Sequence, residues 1–288
     1  MTMINGIYAA TLSILNSDLG LDIKKTISHA EKVINKGCHG VVFFGSTGQS
    51  QLISLSDKIN LINNLSSSSY KDNFIIGTGL NSLSDNISLM KISMSLGLSK
   101  FLIMPPAYYK YDDQDVFNFY SNIIKIIPDS KIILYNFEKL SGYKFNENIV
   151  YKLVENFPNQ IIGVKDSSYN LFEKIKIDNF SLMPGSESKL LKGLNLGCSG
   201  IITATTNATA SLARDVYENF INKKEQKLND KLCEVRAAFE QYNLISGLHT
   251  FFGQNDLNYK NILPPLRLLN ESEKKNLLNK LDNLDFEN

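Results

Sequence analysis

Short apolar runs rich in β-branched residues alternate with longer segments of helical period along most of the chain. The runs predict eight strands, at residues 7–12, 40–44, 74–76, 100–103, 131–135, 161–164, 181–183 and 200–202. Segments with apolar positions three and four apart predict helices between them, at 22–36, 54–65, 83–96, 113–126, 146–156, 187–196 and 207–219. Start and stop signals agree with these bounds. Asp22 and Ser54 stand where an N-cap side chain accepts from the first free N–H groups, and Gly37, Gly97 and Gly197 follow last turns, where a left-handed residue is wanted.

Repeated βα units whose strands are apolar on both faces predict an α/β fold, a parallel (β/α)8 TIM barrel, with a doubly wound sheet as the architectural rival. The strand signal stops near residue 222, and residues 223–243, 250–261 and 272–284 have helical period. The expectation is a catalytic barrel over residues 1–222 and a C-terminal helical subdomain over 223–288, packed on the barrel with no disordered linker. The run Ser66-Ser67-Ser68-Ser69 is too short for a linker and reads as a surface turn.

Composition narrows the partners. A chain of 288 residues, 43% hydrophobic, buries a large core, and 30 basic against 29 acidic side chains leave a net charge of +1. That balance offers no electrostatic footprint for nucleic acid or an anionic membrane surface, and no apolar run is long enough to span a bilayer. Met1-Thr2-Met3-Ile4-Asn5-Gly6 lacks the basic and apolar stretches of a secretory leader. Cys38, Cys198 and Cys233 are odd in number and widely spaced, which argues against a disulfide framework and a CxxC metal site. A cytoplasmic protein acting on a small molecule fits this pattern best. His29, His39 and His249 are scattered, so neither a metal centre nor a serine triad is expected, and the chain has no P-loop and no G-x-G-x-x-G after a strand.

Reactive groups of such a barrel gather at the carboxyl ends of its strands. Here those ends are polar: Gly45-Ser46-Thr47-Gly48-Gln49, Met104-Pro105-Pro106-Ala107-Tyr108-Tyr109, Tyr135-Asn136, Lys165-Asp166, Pro184-Gly185-Ser186-Glu187 and Thr203-Ala204-Thr205-Thr206-Asn207. Two readings of Lys165 compete. Leaving a buried strand, its amine would be partly desolvated, which disfavours the ammonium and favours a nucleophile; alternatively it is a snorkelling lysine paired with a carboxylate such as Asp166. Tyr135 is either a proton shuttle one strand away or a barrel-lining tyrosine. The Gly45-Ser46-Thr47-Gly48 segment is either a hydroxyl and N–H cradle for a carboxylate or an ordinary turn. Tyr108, Tyr109 and Tyr111 lack the surrounding basic residues of a nucleic-acid platform and read as packing or an oligomer contact.

Taken in order, these segments resemble the dihydrodipicolinate synthase/N-acetylneuraminate lyase family of class I, pyruvate-dependent aldolases, over nearly the whole chain. Gly45-Ser46-Thr47-Gly48-Gln49 is similar to the family's G-[ST]-T-G-E, Leu134-Tyr135-Asn136 to its strand-five Y-N, and Gly163-Val164-Lys165-Asp166 to its G-[IV]-K-[DE]. The resemblance implies that Lys165 forms an imine, Tyr135 is the acid/base, and Ser46 and Thr47, with Gly48 between strand and helix, hold the 2-oxo acid carboxylate. It also implies that Tyr109 reaches a neighbouring subunit's site in a homotetramer built as a dimer of dimers. The imine makes a metal or other cofactor unnecessary.

Departures from the family pattern bear on the substrate. Where the synthases carry an arginine for the second substrate's carboxylate this chain has Leu140, and Leu140-Ser141-Gly142 looks like the sugar-acid lyases; Gln49 replaces a common Glu and Glu138 a common Pro. Ala204 stands where the neuraminate lyases place a hydroxyl. The substrate-binding set expected from these matches is Ser46, Thr47, Gly48, Leu140, Ser167, Gly185, Glu187 and Thr205, with Ser188 as a further polar contact. Cleavage of a 2-keto-3-deoxy sugar acid, or a similar 4-hydroxy-2-oxo acid, to pyruvate and an aldehyde is the expected reaction. The alternatives are condensation of pyruvate with aspartate semialdehyde, and a non-catalytic acid-binding barrel.

Overall fold

The strands follow one another around a (β/α)8 TIM barrel: β1 (Gly6–Ala10), β2 (Gly40–Phe43), β3 (Phe74–Gly77), β4 (Lys100–Ile103), β5 (Lys131–Asn136), β6 (Ile161–Asp166), β7 (Ser181–Pro184) and β8 (Gly200–Thr203). A computed structural model describes residues 3–287; Met1 and Thr2 of the segment read for a leader, and Asn288 of the C-terminal part, lie outside the described residues. Parallel ladders join the strands in the order β7-β6-β5-β4-β3-β2-β1-β8. Ser199 N–H donates to Leu182 O at 3.0 Å and draws β8 against β7, so the barrel is nearly closed.

The outer layer comprises α1 (Ile23–Asn35), α2 (Leu55–Leu65), α3 (Leu83–Ser95), α4 (Asp113–Ile126), a single turn α5 (Glu138–Ser141), α6 (Glu147–Asn156), α7 (Leu190–Asn195) and α8 (Thr206–Ile221). Asp22 and Ser54 cap α1 and α2 by accepting from Lys25 N and Asp57 N. Gly37, Gly97 and Gly197 follow their helices with φ of 133°, 80° and 89°. The segment between β6 and β7 forms turns rather than a regular helix.

Strand residues alternate between two cores, which is why each strand reads as a continuous apolar run. Val42, Ile75, Leu102, Ile133 and Ile202 fill the barrel interior. Their neighbours Val41, Phe43, Ile76, Phe101, Ile103, Ile132, Leu134 and Ile201 face the helices. Burying one such side chain is worth about 1.5–3 kcal/mol.

After α8 come α9 (Asn229–Glu240), α10 (Leu244–Phe252) and α11 (Glu271–Asp282). They share a core with Leu12 and Ile14, just beyond β1, and Ala204, just beyond β8, so the helical part adjoins the carboxyl end of the barrel. Several bounds differ from the sequence pattern, among them the helix expected at 223–243, which runs from Asn229 to Glu240, and two of the differences have a plain cause. The first strand ends at Ala10, because Leu12 N–H turns to Asn207 Oδ1 at 3.1 Å and leaves the ladder. The helix expected at 250–261 is displaced: α10 begins where Asn243 accepts from Ile245 N and Ser246 N and ends at Phe252, so the predicted span holds only its last residues and a short 3-10 turn, Leu257–Lys260.

A chain of buried polar groups ties the C-terminal part to the barrel. His29 Nε2 lies 2.8 Å from Asn207 Oδ1 and its Nδ1 2.8 Å from Tyr259 OH. His249 Nδ1 lies 2.8 Å from Tyr259 O and its Nε2 3.4 Å from Gln49 Nε2. Each ring thus faces one acceptor and one available donor, the complement of a neutral imidazole. Gln49 suits this role because its amide donates to His249 while its Oε1 accepts from Leu263 N at 2.8 Å. Burial lowers the pKa of both histidines to about 4.

The unfolded chain binds these protons near the ordinary value of about 6.5, before the folded protein does. Stability is therefore full above about pH 6.5 and falls as pH drops toward 4. Urea unfolding at both ends of this window should show that loss, and His29→Gln or His249→Gln should reduce the difference; an undiminished difference in both variants would refute the assignment.

Candidate active site

Lys165 owes its position to an irregularity in its strand. The β5–β6 register pairs Ile132 with Ile161 but Ile133 with Gly163, so one extra residue is accommodated in β6. Ile162 consequently faces the barrel interior, whereas both Ile161 and Val164 face the helices. Simple alternation would have turned Lys165 outward; the bulge turns it inward, opposite Tyr135 in the ladder. Gly163 is required there, since a Cβ at this position would stand 2.4 Å from Ser181 O of the neighbouring strand.

Lys165 is 3% exposed and Tyr135 4%, with the lysine Nζ 4.2 Å from the centre of the Tyr135 ring. Asp166 does not pair with it. That carboxylate points the other way, accepting from Asn136 Nδ2 at 2.8 Å, Leu171 N at 2.8 Å and Phe172 N at 3.0 Å, and so organises the turn after β6. Asn136 in turn accepts from Phe145 N and donates to Asn170. The asparagine and aspartate following Tyr135 and Lys165 are therefore braces for the loops beside those two side chains.

Ser46 and Thr47 lie in a 3-10 turn, Ser46–Gly48, directly after β2. Ser46 Oγ is 3.1 Å from Tyr135 OH, which links the turn to the phenol. A cavity of about 480 Å³ opens over these groups, lined by Ser46, Thr47, Tyr135, Lys165, Ser167, Gly185 and Ala204 from the strand ends. Phe137, Glu138, Lys139, Lys144, Ser168, Tyr169, Arg236, Glu240 and Leu244 complete its wall.

Other expected residues fall elsewhere. Gly48 sits below the cavity, its carbonyl accepting from Ser13 Oγ at 2.7 Å. Leu140, half-exposed on α5, lines an adjoining apolar recess that shares only Ser46 and Tyr135 with the cavity. Tyr109 is 69% exposed and does not enter the cavity of its own chain. Ser188 bonds to Ser186. Glu187 and Thr205 are wholly buried and do not line the cavity, because an arginine stands between them and it.

That arginine, Arg236 of α9, was not among the expected site residues. Its Nη1 donates to Thr203 Oγ1 at 2.9 Å, Glu187 Oε2 at 3.1 Å and Thr205 Oγ1 at 3.3 Å. Thr203, Thr205 and Thr209 also donate to the Glu187 carboxylate. Burial disfavours the guanidinium charge, but the Glu187 and Glu240 carboxylates outweigh this and raise its pKa further. The signal in the sequence is its spacing: Arg236 lies four residues after Leu232 and three before Phe239, on the buried stripe of the helix. Among the described residues, no group of three or more His, Cys, Asp or Glu is placed to hold a metal ion, and no helix is long and apolar enough to cross a membrane.

Comparison with known proteins shows the family and the fold. The model of the dihydrodipicolinate synthetase family matches residues 3–284. A 2-dehydro-3-deoxy-D-gluconate/2-dehydro-3-deoxy-phosphogluconate aldolase from Picrophilus torridus is 29% identical over 74% of this chain and 82% of its own. A 4-hydroxy-tetrahydrodipicolinate synthase from Karelsulcia muelleri is 28% identical over 99% of both chains. In fold, the chain is similar to the crystal structure of dihydrodipicolinate synthase from Bacillus anthracis, with a TM-score of 0.89 at 23% identity, over 98% of this chain and 99% of that one.

The tight approach at the bulge yields a stability prediction. Gly163→Ala forces a methyl against Ser181 O and Ser181 Cβ and should destabilise the protein by about 1–3 kcal/mol. The urea midpoint should fall without a change in slope; an unshifted midpoint would show that the bulge tolerates a side chain.

Proposed function

The chain belongs to the dihydrodipicolinate synthetase family, a family of lyases and aldolases, and we propose that within it this protein is a Schiff-base aldolase. Its reaction is the reversible cleavage of a 2-keto-3-deoxy sugar acid, or a similar 4-hydroxy-2-oxo acid, to pyruvate and an aldehyde. The observation that carries this reading is the Lys165 amine: buried at the barrel mouth, facing Tyr135, with Asp166 committed elsewhere.

Ser46 and Thr47 hold the substrate carboxylate, and neutral Lys165 Nζ attacks the adjacent ketone carbon. Tyr135 moves protons as the carbinolamine forms and loses water. The resulting iminium draws the electron pair of the C3–C4 bond, while Tyr135 takes the proton of the C4 hydroxyl and the aldehyde leaves. Protonation of the enamine at C3 and hydrolysis return pyruvate and the free lysine. The charge on nitrogen supplies the electron sink that a metal supplies in other aldolases. Leu140, lying outside the cavity where a synthase arginine is expected, favours a sugar acid over aspartate semialdehyde. Tyr109, exposed in its own chain, serves a neighbouring subunit of a homotetramer.

Borohydride added with pyruvate should fix a covalent adduct on Lys165 by mass spectrometry, and an unmodified lysine would sink the imine. Across a panel of 2-oxo acids and aldehydes, turnover of aspartate semialdehyde in preference to sugar acids would reverse the choice of substrate. Tyr135→Phe should lower kcat by about 10²- to 10⁴-fold. Tyr109→Phe and Lys165→Ala chains should recover activity when mixed during assembly, because a mixed pair holds one complete site; no recovery would place Tyr109 outside the reaction.

A further inference from the structure

We propose that Arg236, with Glu240 beside it, recognises a hydroxyl group on the aldehyde half of the substrate, and that Glu187 and Thr205 act through it. This rests on the aldolase reading of the cavity. Glu187 and Thr205 occupy loop positions from which a strand-end residue would meet the substrate, yet both are sealed behind the guanidinium. Arg236 itself borders the cavity on the side of Gly185 and Ala204, at the ends of β7 and β8. The polar contact expected of two loop residues is thus relayed to a side chain from a C-terminal helix.

The guanidinium has donors in reserve. Its Nη1 is fully engaged by Glu187, Thr203 and Thr205, whereas Nη2, which carries two hydrogens, has one partner among the described residues: Glu240 Oε1, at 3.4 Å. The Arg236 side chain is 4% exposed and its Nη1 is held by three acceptors, so its direction is fixed before substrate arrives. Glu240 is 53% exposed and also lines the cavity. A donor and an acceptor side by side match a hydroxyl, which accepts from Nη2 and donates to the carboxylate. They match an anionic substituent poorly, because Glu187 already balances the Arg236 charge and Glu240 would repel it. Ala204 offers no hydrogen bond of its own from its side chain, so polar contact at that edge falls to this pair and the neighbouring Tyr169 phenol.

Arg236 and Glu240 are therefore specificity-determining residues for hydroxylated over plain aldehydes. The measurement is kcat/KM for cleavage of a 2-keto-3-deoxyhexonate, relative to 4-hydroxy-2-oxopentanoate, whose aldehyde half carries only a methyl group. Arg236→Lys keeps a cation against Glu187 but lacks Nη2; it should reduce the preference for the hydroxylated substrate by about 10- to 100-fold, mainly through that substrate. Glu240→Ala, at a half-exposed position that leaves the core intact, should shift the preference the same way by less. Pyruvate and borohydride label Lys165 without involving the aldehyde half and so test the imine separately. An unchanged preference in a folded Arg236→Lys protein, or an equal loss on both substrates, overturns the proposal. If Arg236→Lys does not fold, an unchanged preference in Glu240→Ala does the same.

Discussion

One extra residue in β6 governs the chemistry available to this barrel. A strand buried on both faces presents every second side chain to the interior, and the apolar residues before Lys165 fix which phase that is. Ile162 occupies the interior with Ile133 and Met183. The bulge at Gly163 then shifts the phase by one, so that Val164 packs outward with Leu134 and Lys165 emerges inward beside Tyr135. The orientation of Lys165 thus depends on a local distortion that only glycine accommodates, with Ser181 of β7 closing on it from the other side.

The surroundings divide their work accordingly. Asp166 and Asn136 direct their hydrogen bonds into the loops behind Lys165 and Tyr135, leaving the lysine amine unpaired by Asp166. Across the mouth, the reverse arrangement holds: Arg236 Nη1 and the Glu187 carboxylate are paired and three threonines complete the carboxylate's hydrogen bonds, while Nη2 and Nε of the arginine keep spare donors. The C-terminal helices consequently form part of the cavity wall, and the Asn207–His29–Tyr259–His249–Gln49 chain fastens them to the turn that carries Ser46 and Thr47.

Much of this was readable from residue order. The apolar runs located all the strands because their burial on both faces leaves an unbroken hydrophobic record, and Asp22 and Ser54 marked helix starts because capping is a local interaction. The polar strand ends identified Lys165, Tyr135, Ser46 and Thr47 as neighbours in one cavity, since the barrel brings every strand end to the same face. The span of α10 was misplaced because Asn243 caps it from within a stretch that reads as continuous helix.

What the tertiary structure alone decided was which polar groups meet the cavity and which are consumed elsewhere. Glu187 and Thr205 stand at strand ends like the reactive residues, but a guanidinium from a helix far along the chain intercepts them. Gly48 and Leu140 likewise follow the expected segments yet face a supporting bond and a separate recess. The sequence determined the barrel, its reactive face and the lysine–tyrosine pair, because these follow from periodicity and from chemistry carried at strand ends. The direction of each side chain, the phase shift at Gly163 and the entry of Arg236 depend on contacts between distant segments, and such contacts leave no periodic trace in the order of residues.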